Sequence, residues 1–304
     1  LAAAPSRKAP RPRCAHGFPV GLMTGLLGIA PGAPGSGRAR YARAMTLWHE
    51  GRLSEDQLEA YRSAAADDAE GPAAEFVRRG LPLPADAPPD PVGAIRALLG
   101  ETDRYLAELP GDGIAEVRTG LAIWRDGPVS PGADTNPVTR AHLPAALREL
   151  ASTHPGLAGT IATATPLLRW QSYDGYAPDT IGESFASNHA FASLLGEEAA
   201  IPATDFDLGL FLIAPHVLYR DHAHPAPELY APLTGPHGWR FGPDRPLVIK
   251  AAHQPVWNPP MQPHLTKVGP VPFLCLYAWT RDVASAAQVI PAQDWHRLEE
   301  LRLE

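Results

Sequence analysis

The spacing of apolar positions changes character near Asp205. Before it, prolines and glycines cut the chain into short stretches of helical period. "GRARYARAMTLWHEGRLSEDQLEAYRSAAADDAEGPAAEFVRRG" reads as helices, with Ser54 and Gln57 forming an S-x-x-Q capping box ahead of Leu58. Beyond the separator "PLPADAPPDP", "VGAIRALLGETDRYLAELPG" places Ile95, Leu98, Leu99, Tyr105 and Leu106 at roughly helical spacing. "RDGPVSPGADTNP", residues 125–137, is the linker candidate and sets a boundary near 135. "NPVTRAHLPAALRELAST" and "IGESFASNHAFASLLGEE" also read as helical.

From Asp205 onward the texture is that of strands: "DLGLFLIAP", "HVLYR", "ELYAPLTG", "GWRFG", "PLVIKAA", "PVWN", "PHLTKV" and "PFLCLYAW". Each run is short and bounded by Gly, Pro, Asp or Asn. Turns rather than helices separate them, which predicts a small antiparallel barrel or jelly roll, closed by a helix in "AQDWHRLEELRLE". The expected organisation is a helical N-terminal region, residues 1–135, and a second domain, 136–304. That domain has a helical lead over 136–200 and a β-barrel over 205–285, so the C-terminal half is mainly β.

Composition narrows the function classes. With 304 residues and 45% hydrophobic content the chain can bury a sizeable core. A formal charge of −7 supplies no basic field for phosphate backbones, which argues against nucleic acid and for a small-molecule partner. The two cysteines, Cys14 and Cys275, follow no metal-ligand or disulfide spacing. "RKAPRPR" followed by "FPVGLMTGLLGIA" has the order of a signal peptide, but three glycines interrupt the apolar run. A soluble cytoplasmic protein is the expectation and secretion the alternative. No apolar run approaches the roughly 20 residues of a membrane-spanning helix.

The chemistry concentrates in "YRDHAHPAPELY", residues 219–230. On a strand, His222 and His224 share a face, and Glu228 with Tyr230 forms a second i, i+2 pair after Pro225 and Pro227 bend the chain. His264 would arrive from a neighbouring strand. Three imidazoles and a carboxylate suit one divalent transition metal, Fe, Mn, Ni, Co or Zn, and leave room for substrate. Six of the 12 histidines lie between 216 and 264; His216, His237 and His253 are read as structural or surface residues.

The pattern H-x-H-x-x-x-E at His222, His224 and Glu228, with the later His264, resembles the metal signature of the cupins. More narrowly, "LGLFLIAPHVLYRDHAHPAPELYAPLTG" and "PHLTKVGPVPFLCLYAWTRD" resemble the cupin-type dimethylsulfoniopropionate (DMSP) lyases. The likeness includes Tyr230 two residues after the Glu, Tyr219 five before the second His, and Tyr277 with Trp279 in an "LYxW" strand. "LLRWQSYDGY" and "SFASNHAFASLLG" resemble the helical lead of those enzymes, so the likeness spans roughly residues 138–285. Leu265 and Thr266 stand where Ala-Met is common, and Arg281 where Gly is usual.

The resemblance implies a double-stranded β-helix, the cupin jelly roll, and β-elimination of DMSP or a related carboxylate to acrylate and dimethyl sulfide. It makes Tyr230 the first choice for the base and Tyr219 the second catalytic candidate. Tyr277, Trp279, Trp170 and Tyr173 would form an aromatic wall for a sulfonium cation. Tyr219 falls on the opposite parity to His222 unless a bulge intervenes. Another metal-dependent cupin enzyme, an iron oxygenase or isomerase, is the alternative, as is a non-catalytic cupin that binds a small ligand. Cupins often form homodimers.

Overall fold

The computed structural model describes residues 29, 34–49, 52–68, 72–81 and 90–303. Cys14, the basic and apolar run around it, and most of the separator before residue 90 lie outside the described residues. Among those described, no helix is long and apolar enough to cross a membrane.

The first half is helical: α1 (Ser36–His49), α2 (Glu55–Ser63), α3 (Ala73–Arg79), α4 (Pro91–Glu108), α5 (Ile114–Trp124), α6 (Pro137–Ala151) and α7 (Pro155–Ala164). Local signals account for the starts. The Ser54 and Gln57 capping box forms reciprocally, at 3.2 and 2.9 Å, and opens α2. Asp90 and Asn136 cap α4 and α6, each followed by a proline at the first helical position, where no amide proton is needed. All five apolar residues that suggested α4 are buried.

Two short helices, α8 (Pro178–Ile181) and α9 (Glu183–Ser187), lead into the strands. These are β1 (His189–Gly196), β2 (Ile201–Pro202), β3 (Asp207–Ile213), β4 (Leu218–Ala223), β5 (Glu228–Pro232) and β6 (His237–Arg240). After them come β7 (Val248–Lys250), β8 (Val256–Asn258), β9 (His264–Lys267), β10 (Phe273–Trp279), β11 (Gln288–Val289) and the closing helix α10 (Trp295–Glu300). All eight expected strands form. The helical lead expected to reach residue 200 stops at Ser187, and "HAFASLLG" is strand. Its good helix formers are overruled by pairing with β3, and its alternation fits: Ala190, Ala192 and Leu194 join the outer core while Phe191 faces the inner cavity.

The strands make two sheets, ordered β2-β1-β3-β10-β5-β8 and β11-β4-β9-β6-β7, in a jelly-roll arrangement. They do not close into a continuous barrel. The middle strands of the first sheet are buried on both faces, which is why "LGLFLI" and "FLCLYA" are almost continuously apolar. Leu208, Leu210, Leu212, Leu274 and Leu276 point outward into a core shared with Ile95, Leu98, Val117 and Leu150 of the helices. Phe211, Ile213, Cys275, Tyr277 and Tyr230 point inward, between the sheets. The core is therefore continuous across residue 135, and the helices cover a sheet face that would otherwise meet water. Each leucine buried there contributes about 1.5–3 kcal/mol.

Candidate metal centre

The inner face of the first sheet is built in rungs. Antiparallel register sets Asp207, Trp279 and Glu228 side by side on β3, β10 and β5, and Gly209, Tyr277 and Tyr230 on the next rung. From the second sheet, β4 pairs Tyr219 with Thr266 and His222 with His264 of β9, so three steps on β4 oppose two on β9. This bulge resolves the parity of Tyr219: it turns that ring onto the face of His222, with centroids 3.9 Å apart. Asp221, turned away from the site, is fully buried and holds Arg240 and the Trp295 indole of α10. A buried ion pair thus fixes the bulge from behind.

Glu228 begins β5, His222 is on β4, His224 lies just past its end and His264 begins β9. All four are buried. One ligand atom from each histidine lies within 4.8 Å of the others, close enough for one ion to be shared once the rings draw inward. The tautomers follow from hydrogen-bond bookkeeping. His222, His224 and His264 donate from Nδ1 to the carbonyls of Arg220, Ala226 and Gln262 at 2.8, 2.7 and 2.8 Å. A carbonyl only accepts, so each proton is on Nδ1 and each neutral ring presents a bare lone pair at Nε2.

Those lone pairs meet another acceptor. Nε2 of His224 and of His264 lie 3.3 and 3.2 Å from Oε2 of Glu228, and neither has a hydrogen-bond partner. Buried acceptors facing one another are costly unless a cation sits among them. Glu228 is oriented by Trp279, which donates its indole N–H to Oε1 at 2.7 Å, and by Asn258, which donates to Oε2 at 3.2 Å. The Glu228 charge draws positive charge, a proton or a metal ion, to the same point. Burial would raise the Glu228 carboxyl, yet His224 and His264 hold it well below the usual range. Burial and the neighbouring imidazoles push His222 well down, whereas the Glu228 charge overcomes burial to raise His224. The donor set fits a divalent transition metal.

Around these residues lies a cavity of about 230 Å³. Tyr230, Tyr219, Tyr277, Trp279 and Tyr173 all line it. Trp170 does not: it is buried in the outer core, its indole donating to the Thr165 carbonyl at 3.2 Å. The substrate role expected for Trp170 is therefore corrected to packing. Burial first, then Glu228, pushes the Tyr230 phenol well above 10, and burial likewise raises Tyr219 and Tyr277. The Tyr219 hydroxyl pairs with that of Tyr176 at 3.1 Å, and its ring stacks on Phe185, with centroids 3.9 Å apart.

Several lining residues had no sequence signal of their own, among them Tyr176, Phe185, His189 and Asp207. His189 shows what a satisfied histidine looks like: Nδ1 bonds the Phe185 carbonyl and Nε2 accepts from the Tyr173 amide. His237 is similarly engaged, by Thr234 and the Gly269 amide, and His253 by Tyr105 and Thr153.

Fold and site together are cupin-like: two apposed, mainly antiparallel sheets with three histidines and a glutamate gathered between them. The family model described as dimethylsulfoniopropionate lyase matches residues 128–275. A chain from the crystal structures of the DMSP lyases RdDddP and RnDddQII superposes with a TM-score of 0.51 at 19% identity, covering 66% of this chain and 100% of that one. The DMSP lyase DddQ from Ruegeria pomeroyi DSS-3 superposes with a TM-score of 0.50 at 22% identity, over 66% and 96% of the two chains. No curated protein sequence matches. The chain therefore has a cupin-like fold, and it is similar to the DMSP lyases over residues 128–275.

Proposed function

We propose that the protein is a metal-dependent carbon–sulfur lyase that converts DMSP, or a closely related carboxylate, to acrylate and dimethyl sulfide. The observation that carries this reading is the pair of bare Nε2 lone pairs of His224 and His264, 3.3 and 3.2 Å from Glu228 Oε2, beside a cavity lined by tyrosines. His222, His224, Glu228 and His264 would hold the ion. When bound, a divalent metal supplies positive charge that stabilises enolate-like charge on a substrate carboxylate and draws a neighbouring phenol towards phenolate.

Tyr230 would take the proton from the carbon next to the substrate carboxylate. The C–H pair becomes the new C=C bond, the C–S bond breaks, and dimethyl sulfide leaves with the bonding pair. A zwitterion thus yields neutral sulfide and acrylate anion, and the phenol returns its proton to solvent. Tyr219, braced between Phe185 and His222, keeps the imidazole plane fixed. The aromatic lining excludes water from the carbanion-like centre. The family match over residues 128–275 supports the substrate class.

The test is to load the protein with Fe, Mn, Co, Ni or Zn in turn, add DMSP, and measure dimethyl sulfide in the headspace and acrylate in solution. Equimolar products that stop on chelation are expected. No product with any of the five metals would defeat the proposal.

A further inference from the structure

The wall opposite the histidines carries a second charge that the elimination does not use. Asp207 begins β3 on the same rung as Trp279 and Glu228, two strand spacings from Glu228, or roughly 10 Å between backbones. It lines the central cavity and also a smaller outer one of about 170 Å³, whose walls include Arg169, Gln171, Glu197 and Glu198. Phe191 and Val283 share both cavities with it. Asp207 therefore stands between the inner chamber and an outer vestibule with two further carboxylates.

Its position is built. Gly209, the next inward residue of β3, leaves the space that the Tyr277 ring occupies: an added Cβ would lie 2.8 Å from Tyr277 Cε1. Through that gap Ser193 of β1 reaches the Tyr277 hydroxyl at 2.8 Å, and Tyr277 donates to Asp207 Oδ1 at 3.2 Å. Donor counting orients the chain, because Tyr277 has one proton and gives it to Asp207, so Ser193 donates to Tyr277. The carboxylate is thereby held at the cavity wall without a cationic partner from the protein among its hydrogen bonds.

We propose that Asp207 is the cation-holding end of the pocket, pairing with the onium group of a short zwitterion whose carboxylate lies at the metal centre. This rests on the lyase reading for the carboxylate end and names the substrate class: an onium group and a carboxylate separated by a short carbon chain. Charge arrangement supports it. Three neutral imidazoles, one carboxylate and a divalent ion leave one end net positive, and Asp207 makes the other negative. Burial raises the Asp207 carboxyl to about 6 despite the hydrogen bond from Tyr277, so a cation beside it would favour the ionised form. Phe191, edge-on to Tyr277 with centroids 6.3 Å apart, adds a ring face beside it.

The test uses two ligands of one shape and different charge, 3-(trimethylammonio)propanoate and 4,4-dimethylpentanoate, titrated calorimetrically into metal-loaded protein. Wild type should bind the cationic ligand about 10- to 100-fold more tightly than the neutral one. Asp207→Asn, which keeps the acceptor for Tyr277, should bring the two affinities together, and Asp207→Glu should restore part of the preference. If Asn destabilises β3, shown by an early melt, Asp207→Ser repeats the charge removal. The same cation preference in wild type and in the neutral variants would overturn the proposal. Loss of that preference in a protein that releases no dimethyl sulfide would defeat the lyase reading and leave Asp207 assigned.

Discussion

Each imidazole of the His222, His224 and His264 cluster has its Nδ1 proton committed to a main-chain carbonyl, so the direction of every Nε2 lone pair is set by backbone rather than by a mobile side chain. Glu228 depends on a different kind of support, the Trp279 indole at 2.7 Å. Trp279→Phe keeps the ring against His224 and removes only that donor, so metal affinity should fall about 10- to 100-fold, read by competition with a chelator. An unchanged affinity would show that Asn258 alone orients the carboxylate. Tyr230→Phe should lower DMSP turnover by about 10²- to 10⁴-fold with a much smaller change in affinity. Retained turnover would move the base to Tyr219 or Tyr277. At this scale the sequence was most legible where spacing is local: the H-x-H and Glu228 lie within seven residues, and His264 stood out in a histidine-rich stretch. Asp207 was not, because a lone Asp before an apolar run reads as a strand boundary. Trp170 failed for the converse reason, since an aromatic in a quoted likeness carries no information about which face it occupies.

Strands were legible as elements because each ends in a turn residue, and the six-stranded sheet's double burial is written in its unbroken apolar runs. What the pattern could not give was the β4 bulge or the strand character of β1, both products of pairing with distant partners. The fit between helices and sheet is close at Gly113, which opens α5 with a φ of 77°. A Cβ there would lie 2.0 Å from Cε3 of Trp257 on β8, and positive φ disfavours a side chain as well. Gly113→Ala should cost about 1–3 kcal/mol by denaturant unfolding. A neutral result would mean that α5 shifts away from β8 without loss.

The whole molecule joins a helical layer, a double-faced sheet and a second sheet tied to α10, so buried titratable groups report on global folding. Burial depresses His237 to about 3, and burial together with His154 depresses His253 to about 4. Both fold in the neutral form. Below the unfolded value of about 6.5 the unfolded chain takes up protons that the folded one refuses, so stability is full above 6.5 and falls as pH drops through 4 and 3. Denaturation midpoints at pH 7 and 5 should show the decline, and His237→Gln should flatten it. An equal slope in that variant would place the pH response elsewhere.

The most direct measurement is a cobalt(II) titration of metal-free protein, followed by visible absorption, with dimethyl sulfide release from DMSP assayed in the same samples. The expected result is saturation at one equivalent per chain, with lyase activity rising in parallel, and loss of both in His264→Ala. Saturable binding that survives His264→Ala, or activity that does not follow occupancy, would contradict a metal centre at His222, His224, Glu228 and His264 as the seat of the chemistry.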